Sequence, residues 1–356
     1  FMSELYRHGL AEFAYVNELD ISGRIRFPAS GEGAGAVAGL DLPDSALLAM
    51  GGGKDSLVGL NLAQQAGLEV MPACIGGSPL IRATANAAGL PLLQIGRQLA
   101  PELAEMNRRG AWNGHVPVTA INSAVLLCAA ILYGHRHIVF SNERSADEPT
   151  LVTPAGQAVN HQYSKSSGFE HAFRAVIAAE VSPAIEYFSI VRPLSEVGVV
   201  RLFSELKEFH PIFSSCNRNF HLDGSRIEQR WCRDCPKCRF AALSLALFLP
   251  PDAVTAILGA DLLDDMRQET GFRALARLGA EKPFECVGEA GESRAALREL
   301  SRRAEWQRHA VVRSLAAELE GLSVPSMEAL LTPSDRHCIP ARLAERLAEH
   351  GAFRGY

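Results

Sequence analysis

The chain has 356 residues, of which 47% are hydrophobic and 21% charged, with a formal net charge of −5. That balance excludes a mostly disordered chain, and the small negative charge gives no whole-chain electrostatic case for nucleic acid. At roughly 150 residues per domain, the length accommodates two or three units, or one large domain with additions.

The longest apolar runs, 124–134 and 240–249, fall well short of the roughly 20 apolar residues that a membrane helix needs. No N-terminal stretch joins a basic flank, an apolar run and a cleavage site. The expectation is a cytoplasmic protein with no membrane partner. The chain opens on Phe1-Met2, which is not a natural start. Residues 1–45 are expected to be an N-terminal extension, the end of a missing N-terminal domain. Within them, Ser3–Phe13 predicts a short peripheral helix. The small-residue stretch Gly31–Gly39 predicts a loop or a weak strand.

The first strong element is the apolar run Ala46–Met50, which stops abruptly at Gly51-Gly52-Gly53. Asp55–Ala66 then has helical periodicity and closes on Gly67, and Glu69–Ile75 reads as a second buried strand. Strand, glycine turn, helix and strand make a βαβ unit. The pattern continues with a helix over Ile121–Tyr133, a strand over His137–Ser141, a helix over Phe169–Ala179, a strand over Glu186–Ile190 and a helix over Val197–Glu208. The fold class is therefore α/β, with a doubly wound, mostly parallel sheet over residues 46–210. A cysteine-rich segment over 211–250 and a helical C-terminal region over 251–356 follow. In the latter, Ser293–Leu319 has Glu299–Arg302 and Glu299–Arg303 at helical spacing and predicts a solvated helix packed on a larger body.

Gly51-Gly52-Gly53-Lys54-Asp55-Ser56 lies between a buried strand and a helix N-terminus. Glycines permit a tight turn that turns several N–H groups toward one anion, and the helix dipole adds favourable potential for phosphate. Asp55 is a candidate for holding Mg²⁺ and Ser56 for bonding a phosphate oxygen. The plainer alternative is a structural turn with Asp55 as a cap. Neither the Walker A spacing nor the G-x-G-x-x-G pattern is present. A second polar turn, Ser141-Asn142-Glu143-Arg144, follows a predicted strand at the end where open α/β sheets bind ligands.

Of eight cysteines, four lie in Cys216-x15-Cys232-x2-Cys235-x2-Cys238. Four thiolates from one irregular stretch suit a tetrahedral Zn²⁺ with no open position, hence a structural ion. An iron–sulfur cluster is the competing reading.

The glycine turn resembles the S-G-G-x-D-S signature of the PP-loop ATP pyrophosphatases, which cleave ATP between its α- and β-phosphates; here Gly51 replaces the serine. Val116-Pro117, ahead of an apolar helix, and the closing C-x2-C-x2-C resemble 7-cyano-7-deazaguanine synthase. Taken with Asn113–Ser123, Ser141–Ser145, Asn160–Lys165 and Glu281–Glu289, these stretches resemble a narrower family, the UDP-N-acetylmuramoyl-L-alanyl-L-glutamate epimerases, MurL. The resemblance spans about residue 46 to 300. It implies conversion of the L-Glu of UDP-MurNAc-L-Ala-L-Glu to D-Glu, with ATP going to AMP and pyrophosphate, in peptidoglycan precursor synthesis. Adenylating the α-carboxylate removes its charge and acidifies the neighbouring Cα–H. Such a reaction calls for ATP and Mg²⁺ at Gly51–Ser56 and Ser141–Glu143. It also calls for cations on the pyrophosphate and substrate, for which Lys54, Lys165, Arg144 and Arg192 are candidates. It needs acid/base groups, with Cys286 leading, alongside His161 and Lys165, and with His221 and Glu289 as rivals.

Two other readings stay open. One is a PP-loop ligase forming an amide, nitrile or thiol. The other is a zinc-containing nucleic-acid binder, for which Arg201–Arg239 offers eight Lys/Arg against five Asp/Glu.

Overall fold

The computed structural model describes residues 1–21, 23–28, 39–219, 229–351 and 353. Two short helices, α1 (Met2–Gly9) and α2 (Ala11–Val16), precede the sheet. The sheet has five strands: β1 (Ser45–Ala49), β2 (Glu69–Ile75), β3 (Leu93–Ile95), β4 (His137–Phe140) and, after a small β5–β6 hairpin (Leu151–Val152, Ala158–Val159), β7 (Glu186–Ser189). Their spatial order is β3-β2-β1-β4-β7, and every pair is parallel. Ala46 faces Val70 on one side and His137 on the other, which makes β1 the central strand. Four of its five residues are buried, as expected of a parallel strand covered on both faces.

Helices cover both faces. The helices between β1 and β7 are α3 (Lys54–Gln65), α4 (Pro79–Ala87), α5 (Glu102–Arg108), α6 (Val118–Tyr133) and α7 (Ser167–Glu180). Ala46, Leu48 and Val139 point into a core shared with α3 and α8 (Glu196–Glu205). Leu47, Ile138 and Phe140 point into a second core with α6 and α7. The alternation along each strand supplies both layers. Beyond the sheet come α9 (Pro236–Leu245), α10 (Pro251–Leu258), α11 (Glu269–Leu275), α12 (Ala290–Leu300), α13 (Ala310–Ala316), α14 (Met327–Leu331) and α15 (Ala341–Glu349). Among the described residues, no helix is long and apolar enough to cross a membrane.

The structure departs from the sequence reading in several places. The strand β3, the helices α4 and α5 and the β5–β6 hairpin are additions; β3 is three residues long and the hairpin strands two each, too short to show periodicity. The predicted solvated helix over Ser293–Leu319 is two helices, α12 and α13, joined through 301–309. Leu297, Leu300, Trp306, Val312 and Leu315 are buried there, forming the face that packs on the rest of the protein. The cysteine-rich segment is not a separate body: Phe213, Cys216, Trp231 and Cys238 join the α3/α8 core. Most of the stretch 31–39 lies outside the described residues.

Candidate active site

The strand order changes direction between β1 and β4: β2 and β3 follow β1 to one side, while β4 and β7 lie on the other. Loops leaving the C-terminal ends of such neighbours part and open a crevice. After β1 comes the glycine turn, in which Gly52 has φ +73°. The Gly51 N–H donates to Ser56 Oγ at 3.3 Å, and that hydroxyl donates to the Gly53 carbonyl at 3.0 Å. After β4 comes Ser141-Asn142. A Cβ on Gly59 of α3 would stand 2.0 Å from Ser141 Oγ, so the glycine lets the two loops close on each other. Ser141 Oγ is buried with no hydrogen-bond partner among the described residues. The cleft between the loops holds about 220 Å³ and is lined by Gly51, Gly53, Lys54, Asp55, Ser56, Ser141, Asn142, Lys165, Glu196, Lys237 and Cys286.

Lys54 does not reach into open space. Its Nζ donates to Asp55 Oδ1 at 2.6 Å and to Glu196 Oε1 at 2.5 Å, and its side chain is almost fully buried. These anions hold the ammonium charged against the burial that opposes it. Asp55, Glu143 and Glu196 present carboxylate oxygens within 4.8 Å of one another. Burial, then the nearby Asp55, pushes the Glu143 carboxyl up, and burial pushes that of Glu196 well up. Glu196 Oε2 is a buried acceptor with no partner among the described residues. An orphaned carboxylate oxygen among three crowded anions fits a hard divalent cation such as Mg²⁺.

On the opposite wall, the segment before α12 delivers Cys286. Gly288 makes this possible, because a Cβ there would lie 2.5 Å from Phe240 Cζ of α9. Burial would raise the Cys286 thiol, but the Lys165 charge, the hydrogen bond with His161 and the Lys237 charge bring it well below the ordinary thiol range. Burial disfavours charge on His161, yet its hydrogen bonds with Cys286 and Glu12 raise it to about 9. Lys165 is raised too, by Cys286, Glu143 and Asp55 against its burial. The result is a thiolate beside two cations. Glu12 Oε2 lies 2.5 Å from His161 Nδ1, and the His115 ring lies 4.3 Å from that of His161, tilted by 46°.

The structure thus brings together Gly51–Ser56, Ser141, Asn142, Glu143, Lys165, His161 and Cys286. It places the two arginines elsewhere, in correction of their expected substrate role. Arg144 donates to the carbonyls of Thr332, Ala329, Leu330 and Pro193, tying down the end of α14. Arg192 is 1% exposed, pairs with Glu170, and donates to the carbonyls of Glu143 and Lys165. It braces the site from behind. Glu289 caps α12 in a capping box with Glu292, away from the cleft lining. Burial and the charges of Glu292 and Glu148 raise its carboxyl to about 7. His221 lies outside the described residues.

Sequence reasoning missed Glu12, His115, Glu196 and Lys237. His115 sits in the quoted Asn113–Ser123 stretch, and Lys237 sits between two of the cysteines. Glu12 belongs to a helix expected to be peripheral, and Glu196 carried no motif.

The four cysteine sulfurs lie within 4.8 Å of one another, with separations of 4.0 Å (Cys216–Cys235), 3.7 Å (Cys232–Cys238) and 3.4 Å (Cys235–Cys238). A tetrahedron with Zn–S bonds of about 2.3 Å requires sulfurs about 3.8 Å apart. The set therefore fits one ion, whereas a cluster needs thiolates spread round several irons. Backbone N–H groups of Cys232 and Asp234 already point at Cys216 and Cys232 sulfurs, as thiolates require.

The sequence model of the MurL N-terminal domain matches residues 1–190, and that of the MurL C-terminal domain matches residues 212–329. The chain is 48% identical to the UDP-N-acetyl-alpha-D-muramoyl-L-alanyl-L-glutamate epimerase of Xanthomonas oryzae pv. oryzae, over 97% of this chain and 77% of that protein. Identity to the epimerase of the same name from Micromonospora sp. is 39%, over 98% and 78%. For that of Salinispora tropica it is 38%, over 97% and 76%. The matches run through both walls of the cleft and the four-cysteine segment, and they establish that the chain belongs to the MurL family and is an epimerase.

Proposed function

We propose that this epimerase inverts the L-Glu of UDP-MurNAc-L-Ala-L-Glu to D-Glu after ATP adenylates its α-carboxylate, releasing AMP and pyrophosphate. The observation that carries this reading is that the glycine turn and Cys286 line one cleft at the strand-order reversal. The names of the relatives support the substrate, and the PP-loop likeness of Gly51–Ser56 supports attack at the α-phosphate.

The chemistry explains why both walls are needed. A carboxylate beside Cα resists deprotonation, because a second negative charge would form next to the first. The glutamate nitrogen is locked in an amide, so it cannot form an imine. Adenylation removes the carboxylate charge and acidifies the Cα–H. Gly51–Gly53 and the α3 N-terminus receive phosphate oxygens, with Ser56 and Ser141 as hydroxyl donors. Asp55, Glu143 and Glu196 would hold Mg²⁺, which neutralises phosphate charge when bound. Cys286, kept as a thiolate, takes the Cα proton. Lys165 balances the negative charge on that wall. His161, charged up to about pH 9 and hydrogen-bonded to the sulfur, holds the thiolate in place, and reprotonation from the other face inverts the centre. Water then cleaves the anhydride. The four cysteines would hold a structural Zn²⁺, which pins the 211–238 segment against the glycine turn; Ser214 N–H reaches the Gly52 carbonyl at 3.5 Å.

The test is incubation with Mg²⁺-ATP and UDP-MurNAc-L-Ala-L-Glu in D₂O, following AMP, pyrophosphate and deuterium at the glutamate Cα. The native protein should release AMP and give deuterated D-Glu product, while Cys286→Ser should release AMP with deuterium uptake lost. AMP without deuterium in the native protein would move the chemistry to a ligase. Unchanged uptake in Cys286→Ser would remove the thiolate from the mechanism.

A further inference from the structure

We propose that Glu12 is the positioning residue for proton transfer: its carboxylate selects His161, of two adjoining imidazoles, as the charged ring, and His161 then keeps the Cys286 sulfur ionised. The inference rests on Cys286 as the proton-transfer group, but its own readout is the state of the thiol and not turnover.

Glu12 stands in α2, separated from His161 by 149 residues, and is 8% exposed. A carboxylate is brought this far into the protein only where a partner compensates its desolvation. Its oxygen lies 2.5 Å from His161 Nδ1, a contact that demands the proton on that nitrogen. The His115 ring lies against the same ring, tilted by 46° with centroids 4.3 Å apart. Two imidazolium ions at that separation would repel, so one ring must be neutral. Burial and the His161 charge push His115 toward the neutral form. Glu12 therefore breaks the symmetry of the pair. Among the described residues, the titratable groups around His161 and Cys286 are Glu12 from α2, His115 ahead of α6, Lys165, Lys237 from α9, and Glu285 beside the thiol. Lys165 and Lys237 act on the sulfur from other elements and remain when Glu12 is removed. That sets the expected effect as a shift of the thiol and not its full neutralisation. Glu12, His115 and His161 also present ligand atoms within 4.8 Å of one another. A divalent ion there would displace the very proton the proposal requires, so it is the competing occupant.

The experiment measures the rate of Cys286 alkylation by iodoacetamide against pH, quantified by peptide mass spectrometry, in the native protein, Glu12→Gln and Glu12→Asp. Circular dichroism and bound-zinc content check that each variant is folded. In Glu12→Gln the pH of half-maximal rate should rise by about one unit, a roughly tenfold loss of thiolate well below that pH, and Glu12→Asp should recover part of it. An unchanged or lowered profile in folded Glu12→Gln overturns the proposal. So does a Glu12→Asp variant indistinguishable from Glu12→Gln. Should Glu12→Gln fail to fold, ¹⁵N-histidine NMR of the native protein decides: His161 charged at pH 8 with His115 neutral supports the assignment, and the reverse overturns it. Metal analysis showing an ion on these three residues also overturns it. If the alkylation profile behaves as stated while Cys286→Ser still exchanges deuterium, the thiolate role fails and the Glu12 assignment stands.

Discussion

Replacing Lys54 by Met removes a cation that contacts both Asp55 and Glu196, at 2.6 and 2.5 Å. The Asp55 side chain is 34% exposed and can re-solvate, whereas that of Glu196 is 6% exposed and cannot. Without Lys54, Glu196 must either remain a buried unpaired anion or take up a proton. Protonating a glutamate of ordinary pKa about 4.5 at pH 7 costs about 3.4 kcal/mol, within the roughly 3–5 kcal/mol typical of breaking a buried ion pair. The cost depends on pH with a definite sign. Near pH 5 the proton costs only about 0.7 kcal/mol, so the defect should shrink as pH falls. Glu196→Gln in the Lys54→Met background removes the anion and should recover most of the loss. Urea unfolding of the native protein, both single variants and the double variant, at pH 5 and pH 7 and without ATP, tests this. If Lys54→Met lies within about 1 kcal/mol of native at pH 7, or if Glu196→Gln leaves its defect unchanged, the pair does not hold the two walls together and the reasoning fails.

Other outcomes follow from the same geometry. Gly52→Ala places a side chain at φ +73°, costing about 1 kcal/mol or more of strain; the KM for ATP should rise several-fold, and an unaltered KM would mean the turn does not meet the nucleotide. Metal analysis should find about one zinc per native chain, and Cys235→Ser should lose it and become easier to cleave by protease near the cysteines; zinc retained at full stoichiometry would contradict the four-sulfur assignment. The Glu289 carboxyl, raised to about 7 in the folded state, contributes stability that is present below about pH 4.5 and lost as pH climbs through about 7; Glu289→Gln should flatten the stability profile over that window. Arg144→Ala removes the side-chain donor to the Thr332 and Ala329 carbonyls at the α14 end, while Pro193 and Leu330 keep Ser334 N–H and Ser195 Oγ, and should lower stability by about 1–3 kcal/mol while the KM for ATP stays put; a large KM change would return Arg144 to the ligand.

Local chemistry in the chain itself determined several things. An unbroken apolar run buried on both faces, then three glycines, then a helical period, made β1, the turn and α3 legible, because strand, turn and helix each depend on near neighbours. The cysteine spacing marked an ion-sized cluster for the same reason: C-x2-C turns bring sulfurs together locally. Cys286, His161 and Lys165 were visible as candidates through their motifs. Tertiary structure alone decided how these residues combine. The Glu12–His161 contact spans 149 residues and the Lys54–Glu196 contact 142, and neither leaves a periodic trace. Packing also reassigned the arginines. Packing turns these guanidiniums onto main-chain carbonyls at the end of α14 and in the 141–144 turn, which no sequence spacing indicates. Over 293–319 the expected helix is split in two at 301–309, while Leu297, Leu300 and Trp306 lie on the side that the core covers. Residue type therefore sets what chemistry is possible, and the sheet's reversal between β1 and β4 sets which of those residues meet.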